Sequence, residues 1–171
     1  DTLTYTFHLK SGVKFQDGSP VEAKDVAYSI SRLMSINEGP AYLFEGVLDE
    51  NSVTAIDAST VQFKLNKVYT PFLTNTPIMF VVNSDVAEAN KTAADPWAQD
   101  FLANNSAGAG AYTLSNWARG ASMTIKKFDD YHLGWNDQSI DEVRFVITNE
   151  EATVKALAAS GVLSMSANSQ A

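Results

Sequence analysis

Residues 13–33, VKFQDGSPVEAKDVAYSISRL, join a turn signal directly to a helix start signal. The Asp-Gly pair at 17–18 predicts a tight turn, because glycine adopts positive φ without strain. Ser19, Pro20 and Glu22 together predict a capping box, with Ser19 as the N-cap and Pro20 as the first helical residue. Such a cap satisfies its own backbone donors, so we interpret this stretch as architecture in preference to a ligand site.

Apolar side chains on both sides of this turn follow regular periods. Residues 3–10, LTYTFHLK, alternate between apolar and polar, which predicts a strand. After the turn, apolar residues recur at the spacing of one helical face, which predicts an amphipathic helix. The residues of that face are Ala23, Val26, Ala27, Ile30, Leu33 and Met34.

The rest of the chain predicts a mixture of short strands and helices. Strands are predicted at SVTAI (52–56), TVQFKLN (60–66), IMFVV (78–82), AYTLSNW (111–117), SMTIKKF (122–128) and 140–148. Helices are predicted at 69–77, 84–90, 95–104 and 150–160, and LSMS (163–166) is a candidate for a last strand. This pattern predicts an α+β or mixed α/β fold.

Composition excludes several classes of function. The chain of 171 residues has 12 Lys and Arg against 20 Asp and Glu, a net charge of −8. This balance argues against a nucleic-acid partner, which needs concentrated positive charge, and against an anionic membrane surface. The absence of cysteine excludes disulfides and thiolate chemistry. A hydrophobic content of 45% predicts a sizeable core.

Motifs for catalysis and for metal or cofactor binding are missing or incomplete. His8 and His132 are isolated, so we predict no metal site. The sequence lacks the Gly-x-Ser-x-Gly elbow of many hydrolases, and we predict no catalytic residues. GAGAY (108–112) is half of a dinucleotide fingerprint and precedes a strand, so we predict no cofactor. By elimination the sequence indicates a binding module; a hydrolase with an unrecognised site is the weaker alternative.

Three ordered blocks resemble one protein family. TYTFHLKSGVKFQDGSPVEAKDVAYSISRL (4–33) resembles the signature stretch of the bacterial extracellular solute-binding proteins of family 5. These are the oligopeptide-, dipeptide- and nickel-binding components of ABC transporters. GAGAYTLSNWARGASMTIKKFDDYHLGW (108–135) and IDEVRFVITNEEATVKALAASG (140–161) resemble later blocks of the same family in the same order. Since full members are several times longer, the chain resembles an internal fragment.

The resemblance implies a fold, a function and partners. The fold is a fragment of the class II periplasmic-binding-protein type, with mixed sheets and flanking helices. Residues 1–105 correspond to the accessory subdomain of the first lobe, and 106–171 to part of its sheet–helix core. The implied function is non-catalytic capture of a small solute such as a peptide, for import through an ABC permease in the inner membrane. The implied location is the periplasm, after export by a signal peptide that this chain does not include.

The resemblance also implies ligand-binding positions, in the loop Pro40–Phe44 and the turn Thr76–Phe80. The candidate side chains are Tyr42, Phe44, Thr76 and Met79. The alternative is that these side chains only pack the subdomain. A second function also stays open, namely a self-standing protein interaction domain that uses this fold without transport. For an isolated fragment we further expect self-association, since surface that faces the second lobe would be exposed.

Overall fold

The computed structural model describes residues 3–148 and 150–161. It divides the chain into two compact units. The first unit consists of Asp1–Thr113 with Lys127–Ser139, and the second of Leu114–Lys126 with Ile140–Ala171. The predicted strand LSMS (163–166) lies outside the described residues. No helix in the described part of the chain is long and apolar enough to cross a membrane.

The first unit is built on a three-stranded antiparallel sheet. Its strands are β1 (Thr4–His8), β2 (Val53–Ala55) and β3 (Thr60–Lys64), in the order β1-β3-β2. Its helices are α1 (Ala23–Ile36), α2 (Phe72–Asn75), α3 (Ser84–Asn90) and α4 (Gln99–Leu102), with 3-10 helices at Gly39–Phe44 and Thr76–Ile78. The strands predicted at 3–10, 52–56 and 60–66 are thereby confirmed, as is a short helix after Pro71.

The core of the first unit lies between α1 and the sheet. Every residue predicted for the apolar face of α1 packs in or against this core. Phe44 and Phe72 are fully buried, and the Phe72 ring lies 4.7 Å from Tyr5 and 5.5 Å from Phe63 between centroids. Aromatic contacts of this kind add to the free energy of burial. The alternating pattern of β1 therefore places its apolar side chains where the sequence predicts.

The predicted start of α1 is wrong by three residues. The N-cap is Glu22, and Ser19 and Pro20 lie outside the helix. Residues 13–21 instead form a small hairpin, in which Pro20 bridges Lys14 and the Phe15 N–H donates to the Ser19 carbonyl at 2.8 Å. The predicted turn at 17–18 does form, with Gly18 at φ +90°. Ser19 and Pro20 therefore belong to the hairpin and not to the first turn of α1.

Two other elements differ from their predictions. The strand predicted at 78–82 is wrong, because Ile78 ends a 3-10 helix and residues 79–82 form no strand. The Val82 N–H donates to the Ser29 hydroxyl on α1 at 3.0 Å instead of to a neighbouring strand. The helix predicted at 95–104 is reduced to α4, because Ala98 adopts a left-handed conformation at φ 49°. The carboxylate of Asp95 still accepts from the Gln99 N–H at 2.8 Å, so it stabilises the first turn of α4.

A second sheet has the order β4-β5-β6. Its strands are β4 (Tyr112–Ala118), β5 (Ser122–Lys127) and β6 (Glu142–Val146), followed by α5 (Glu151–Ala159). The strands predicted at 111–117, 122–128 and 140–148 are confirmed, and so is the helix predicted at 150–160. The turn between β4 and β5 contains Gly120 at φ +74°. Strands β5 and β6 are antiparallel, with Met123 opposite Phe145 and Ile125 opposite Val143. One face of this pair is therefore apolar.

Candidate functional site

A groove of about 600 Å³ lies on the first unit, and we call it the α1–α4 groove. Its lining residues come from four segments: Ser29, Arg32, Leu33 and Ile36; Glu38, Gly39 and Pro40; Ile78, Phe80 and Val82; and Gln99, Asp100, Leu102 and Ala103. Both segments that the sequence singled out, 40–44 and 76–80, contribute to it. Its volume is in the range typical of small-molecule sites.

Two hydrogen bonds hold the walls of this groove against α1. The Ser29 hydroxyl donates to the Asp25 carbonyl at 2.6 Å and accepts from the Val82 N–H at 3.0 Å, which fixes the segment 78–82 beside the helix. One turn further along α1, the Arg32 Nε–H donates to the Trp97 carbonyl at 2.9 Å. This contact fixes the segment before α4. Both walls therefore depend on polar residues of α1.

The other end of α1 is fixed by a buried carboxylate. Asp25 is 1% exposed, and it accepts from the Glu22 N–H at 2.8 Å and from the Ser84 N–H and hydroxyl at 2.9 and 2.6 Å. Asn83, the N-cap of α3, donates to Asp17 at 2.9 Å and thereby ties the hairpin 13–21 to the same point. The opening stretch of the sequence is thus a scaffold for α1 and α3.

Three pKa shifts accompany these contacts. The hydroxyl of Ser19, with its backbone N–H, lowers the pKa of Asp17 below its ordinary value. The N–H groups of Gln99 and Asp100 lower the pKa of Asp95 in the same way. Burial raises the pKa of Tyr28, whose hydroxyl is buried without a hydrogen-bond partner among the described residues. The two carboxylates are therefore held in place by hydrogen bonds of the segments around α1.

The four predicted ligand-binding residues have different environments. Tyr42 is 70% exposed, directly after the Gly39-Pro40 end of the groove. Phe44 is 0% exposed and belongs to the core, so its ring is inaccessible in this unit. The Thr76 hydroxyl donates to the Leu73 carbonyl at 2.9 Å, and Met79 packs partly against the core. Of the four, only Tyr42 is exposed, and Thr76 and Met79 are half-buried.

The four candidate side chains do not include Arg32, Phe80 or Asp100, which line the groove, although Phe80 belongs to the turn Thr76–Phe80 that the resemblance indicated. Phe80 is 79% exposed, although its apolar neighbours suggested a buried strand. Arg32 lies on α1 outside the positions of the apolar face, where the sequence pattern predicts an ordinary solvent-facing residue. Because these residues are far apart in the sequence, no local pattern could have brought them together.

Residues 129–137 form a loop after β5 that contains Tyr131 and Trp135, and these rings have a packing role. The Trp135 indole N–H donates to the Phe128 carbonyl at 2.8 Å, and its ring lies 5.3 Å from Tyr112 and 5.7 Å from Tyr131. His8 and His132 lie exposed on separate segments. Within residues 3–148 and 150–161, no group of three or more His, Cys, Asp or Glu residues could hold a metal ion.

Comparison with known proteins identifies the family. Residues 1–171 match the family described as "Bacterial extracellular solute-binding proteins, family 5 Middle". The chain is 34% identical to the probable D,D-dipeptide-binding periplasmic protein DdpA of Escherichia coli, over 90% of this chain and 28% of that protein. It is 31% identical to the dipeptide-binding protein of the same organism, over 86% and 30%.

Solved structures confirm the predicted fold class. The substrate-binding protein CtaP of an ABC transporter from Listeria monocytogenes is 26% identical and superposes with a TM-score of 0.79. The match covers 95% of this chain and 33% of that one, so the chain spans about a third of the length of such proteins. The chain belongs to the bacterial extracellular solute-binding proteins of family 5.

Proposed function

We propose that the protein containing this chain captures a peptide-like or other small solute for ABC-type import. The observation that carries the proposal is the family match over all 171 residues. The relatives named above bind dipeptides according to their names, which favours a peptide as the solute. Capture of this kind encloses the solute between two lobes and needs no covalent chemistry.

Within the complete protein, we assign residues 1–105 to the accessory subdomain of the first lobe and 106–171 to part of its sheet–helix core. The exposed ring of Tyr42 is the best candidate for direct contact with solute, because aromatic side chains supply large contact areas at low entropic cost. Thr76 and Met79 are further candidates on the neighbouring turn. Phe44 supports the 3-10 helix of Tyr42 from the core.

The partners and the location follow from the same proposal. Family members are periplasmic or extracellular binding proteins. We therefore place the protein in the periplasm, where it would deliver its solute to an ABC permease in the inner membrane. The family consists of binding proteins and not of enzymes, and neither a hydrolase nor a transport-free interaction domain receives support from the comparisons.

The proposed function can be tested on the protein that contains this chain. Mass spectrometry of the purified protein identifies the solute that accompanies it, and calorimetry then measures its affinity. We expect Tyr42→Ala to weaken binding by about tenfold or more, as truncation of an aromatic contact residue does. The matched control is Ile56→Ala, which also truncates an exposed side chain, since Ile56 is 56% exposed. Its turn lies away from residues 39–44, at the start of α1, where the Ala23 N–H donates to the Ala58 carbonyl.

Two results would count against this assignment. If no solute accompanies the protein and no di- or tripeptide produces heat, capture of such a peptide is wrong. If Tyr42→Ala and Ile56→Ala weaken binding equally, capture stands but Tyr42 is not a contact residue.

A further inference from the structure

Residues 106–112, SAGAGAY, lead into strand β4, and we call them the strap. The first six carry no side chain larger than serine, and none of the six is buried. Such a segment removes little apolar area from water, so the hydrophobic effect contributes little to holding it. The strap is held through its backbone instead. The carbonyls that accept a hydrogen bond from a residue more than ten positions away are those of Ala107, Gly108, Gly110, Ala111 and Tyr112.

Gln16 donates three of these five hydrogen bonds. Its backbone N–H donates to the Gly108 carbonyl at 3.0 Å. Its side-chain Nε2 donates to the Gly110 carbonyl at 3.2 Å and to the Tyr112 carbonyl at 2.8 Å. The Ser106 hydroxyl donates to the Gln16 Oε1, which orients the amide group with its Nε2 toward those two carbonyls. One half-buried glutamine therefore holds the strap at three points.

Two backbone amides hold the remaining carbonyls. The Asn83 N–H donates to the Ala107 carbonyl at 2.8 Å, and the Phe128 N–H donates to the Ala111 carbonyl at 2.9 Å. Like Gln16, both donors belong to the first unit. A segment that is held by a few hydrogen bonds and buries little apolar surface opens at a lower cost in free energy than a packed core.

We propose that Gln16 is the lock of this strap, and that the strap opens as one piece while the core stays folded. None of the described core residues belongs to the strap, so opening leaves the packing between α1 and the sheet intact. The five hydrogen bonds break together because the accepting residues are nearly consecutive and Gln16 holds both the middle and the end of the strap. Release frees the start of β4 from the first unit. This device goes beyond solute capture and does not depend on it.

Hydrogen exchange of the protein that contains this chain tests the proposal, read by mass spectrometry at single-residue resolution. The reporters are the amides of Asn83 and Phe128, whose acceptors lie on the strap. Both should exchange faster than the amide of Leu65, which donates to the Leu3 carbonyl at 2.7 Å in the core. Their exchange should reveal one common opening free energy.

Gln16→Glu removes the Nε2 donor and turns a carboxylate toward two carbonyls, while it keeps the acceptor for Ser106. We expect exchange at Asn83 and Phe128 to become about tenfold faster or more, with Leu65 unchanged. The matched control is Gln62→Glu, since Gln62 is also half-buried and donates to the Thr6 hydroxyl at 3.4 Å on the first sheet. It should leave both reporters unchanged.

Three outcomes would overturn the proposal. If Asn83 and Phe128 exchange as slowly as Leu65 in the parent protein, the strap does not open separately from the core. If a folded Gln16→Glu variant leaves Phe128 unchanged, or if Gln62→Glu accelerates it equally, Gln16 is a local contact and not a lock. If Gln16→Glu fails to fold, Ser106→Ala decides, because it only removes the hydrogen bond that orients Gln16; it should accelerate Phe128 severalfold, and unchanged exchange would exclude the lock.

Discussion

Asp25 is a buried carboxylate that has hydrogen bonds in place of a cationic partner. Its oxygens accept from the backbone of Glu22 and from the backbone and hydroxyl of Ser84. Burying a charge is unfavourable unless its hydrogen-bonding capacity is satisfied. Asp25 therefore joins the start of α1 to the start of α3, and its cost of burial is offset by these contacts. The sequence did not reveal this role, because Asp25 is adjacent to the apolar face of the helix.

We predict that Asp25→Ala strongly destabilises the first unit. The substitution leaves the Glu22 N–H, the Ser84 N–H and the Ser84 hydroxyl without their acceptor, and each buried donor left unsatisfied costs about 1–3 kcal/mol. We expect a total loss of about 3 kcal/mol in the free energy of unfolding. Urea unfolding of both chains measures the loss. The control is Asp137→Ala, at an exposed position; equal stability of the two variants would contradict the role of Asp25.

We predict that Asp17 makes the stability of the chain depend on pH in the acidic range. Because its pKa is lowered in the folded state, its stabilising contribution is complete above the ordinary carboxyl pKa of about 3.9. That contribution is lost as the pH falls through the lower, folded pKa. The stability difference between the parent chain and Asp17→Asn should therefore be larger at neutral pH than at the acidic end of a urea-unfolding series. A difference that stays constant with pH would show that Asp17 has no shifted pKa.

At the scale of elements, local periodicity predicted most of the fold. The alternation in β1 and the apolar face of α1 needed only residues close in sequence, and both are confirmed. The start of α1 was missed because Ser19 and Pro20 fit two local structures, a helix cap and a hairpin. The hairpin forms since Asn83, from a distant segment, donates to the Ser19 hydroxyl at 2.9 Å.

The α1–α4 groove could be predicted only in part. Two of its segments were identified through the family resemblance as ligand-binding positions, but Arg32 and Asp100 lie in segments that the sequence predicted only as helices. The segment 78–82 looked like a buried strand because five apolar residues follow one another. It lies instead beside α1, with Phe80 exposed and Ile78, Met79 and Val81 partly buried against the core. The Ser29 hydroxyl binds its backbone there, a tertiary contact that periodicity does not encode.

We predict that the hairpin 13–21 depends on the backbone of Gly18. At φ +90° an alanine side chain would be strained, although nothing lies within 4 Å of its position. Gly18→Ala should therefore lower the free energy of unfolding by about 1–2 kcal/mol. The control is Gly110→Ala, where space is equally open and φ is not in the left-handed region. If both substitutions have the same effect in urea unfolding, the hairpin does not depend on the left-handed conformation.

At the scale of the whole molecule, the described chain exposes apolar residues on its second sheet. Phe145 and Val146 on β6 are each 47% exposed, and Ile147 is 55% exposed. Strand β6 has a neighbour on one side only within the described residues. An edge strand with exposed apolar side chains is a ready template for pairing with another chain. In relatives about three times as long, further chain is available to cover such an edge.

We therefore predict that the isolated 171-residue chain self-associates through β6. Light scattering after size exclusion should give a mass above the 18.5 kDa of one chain, rising with concentration. Val146→Lys should return the mass toward that of one chain, because a lysine on an edge strand opposes pairing. Ile56→Lys is the control, since it adds the same charge at an exposed position of the first unit. A parent chain that stays monomeric at all concentrations, or an equal effect of both lysines, would exclude association through this edge.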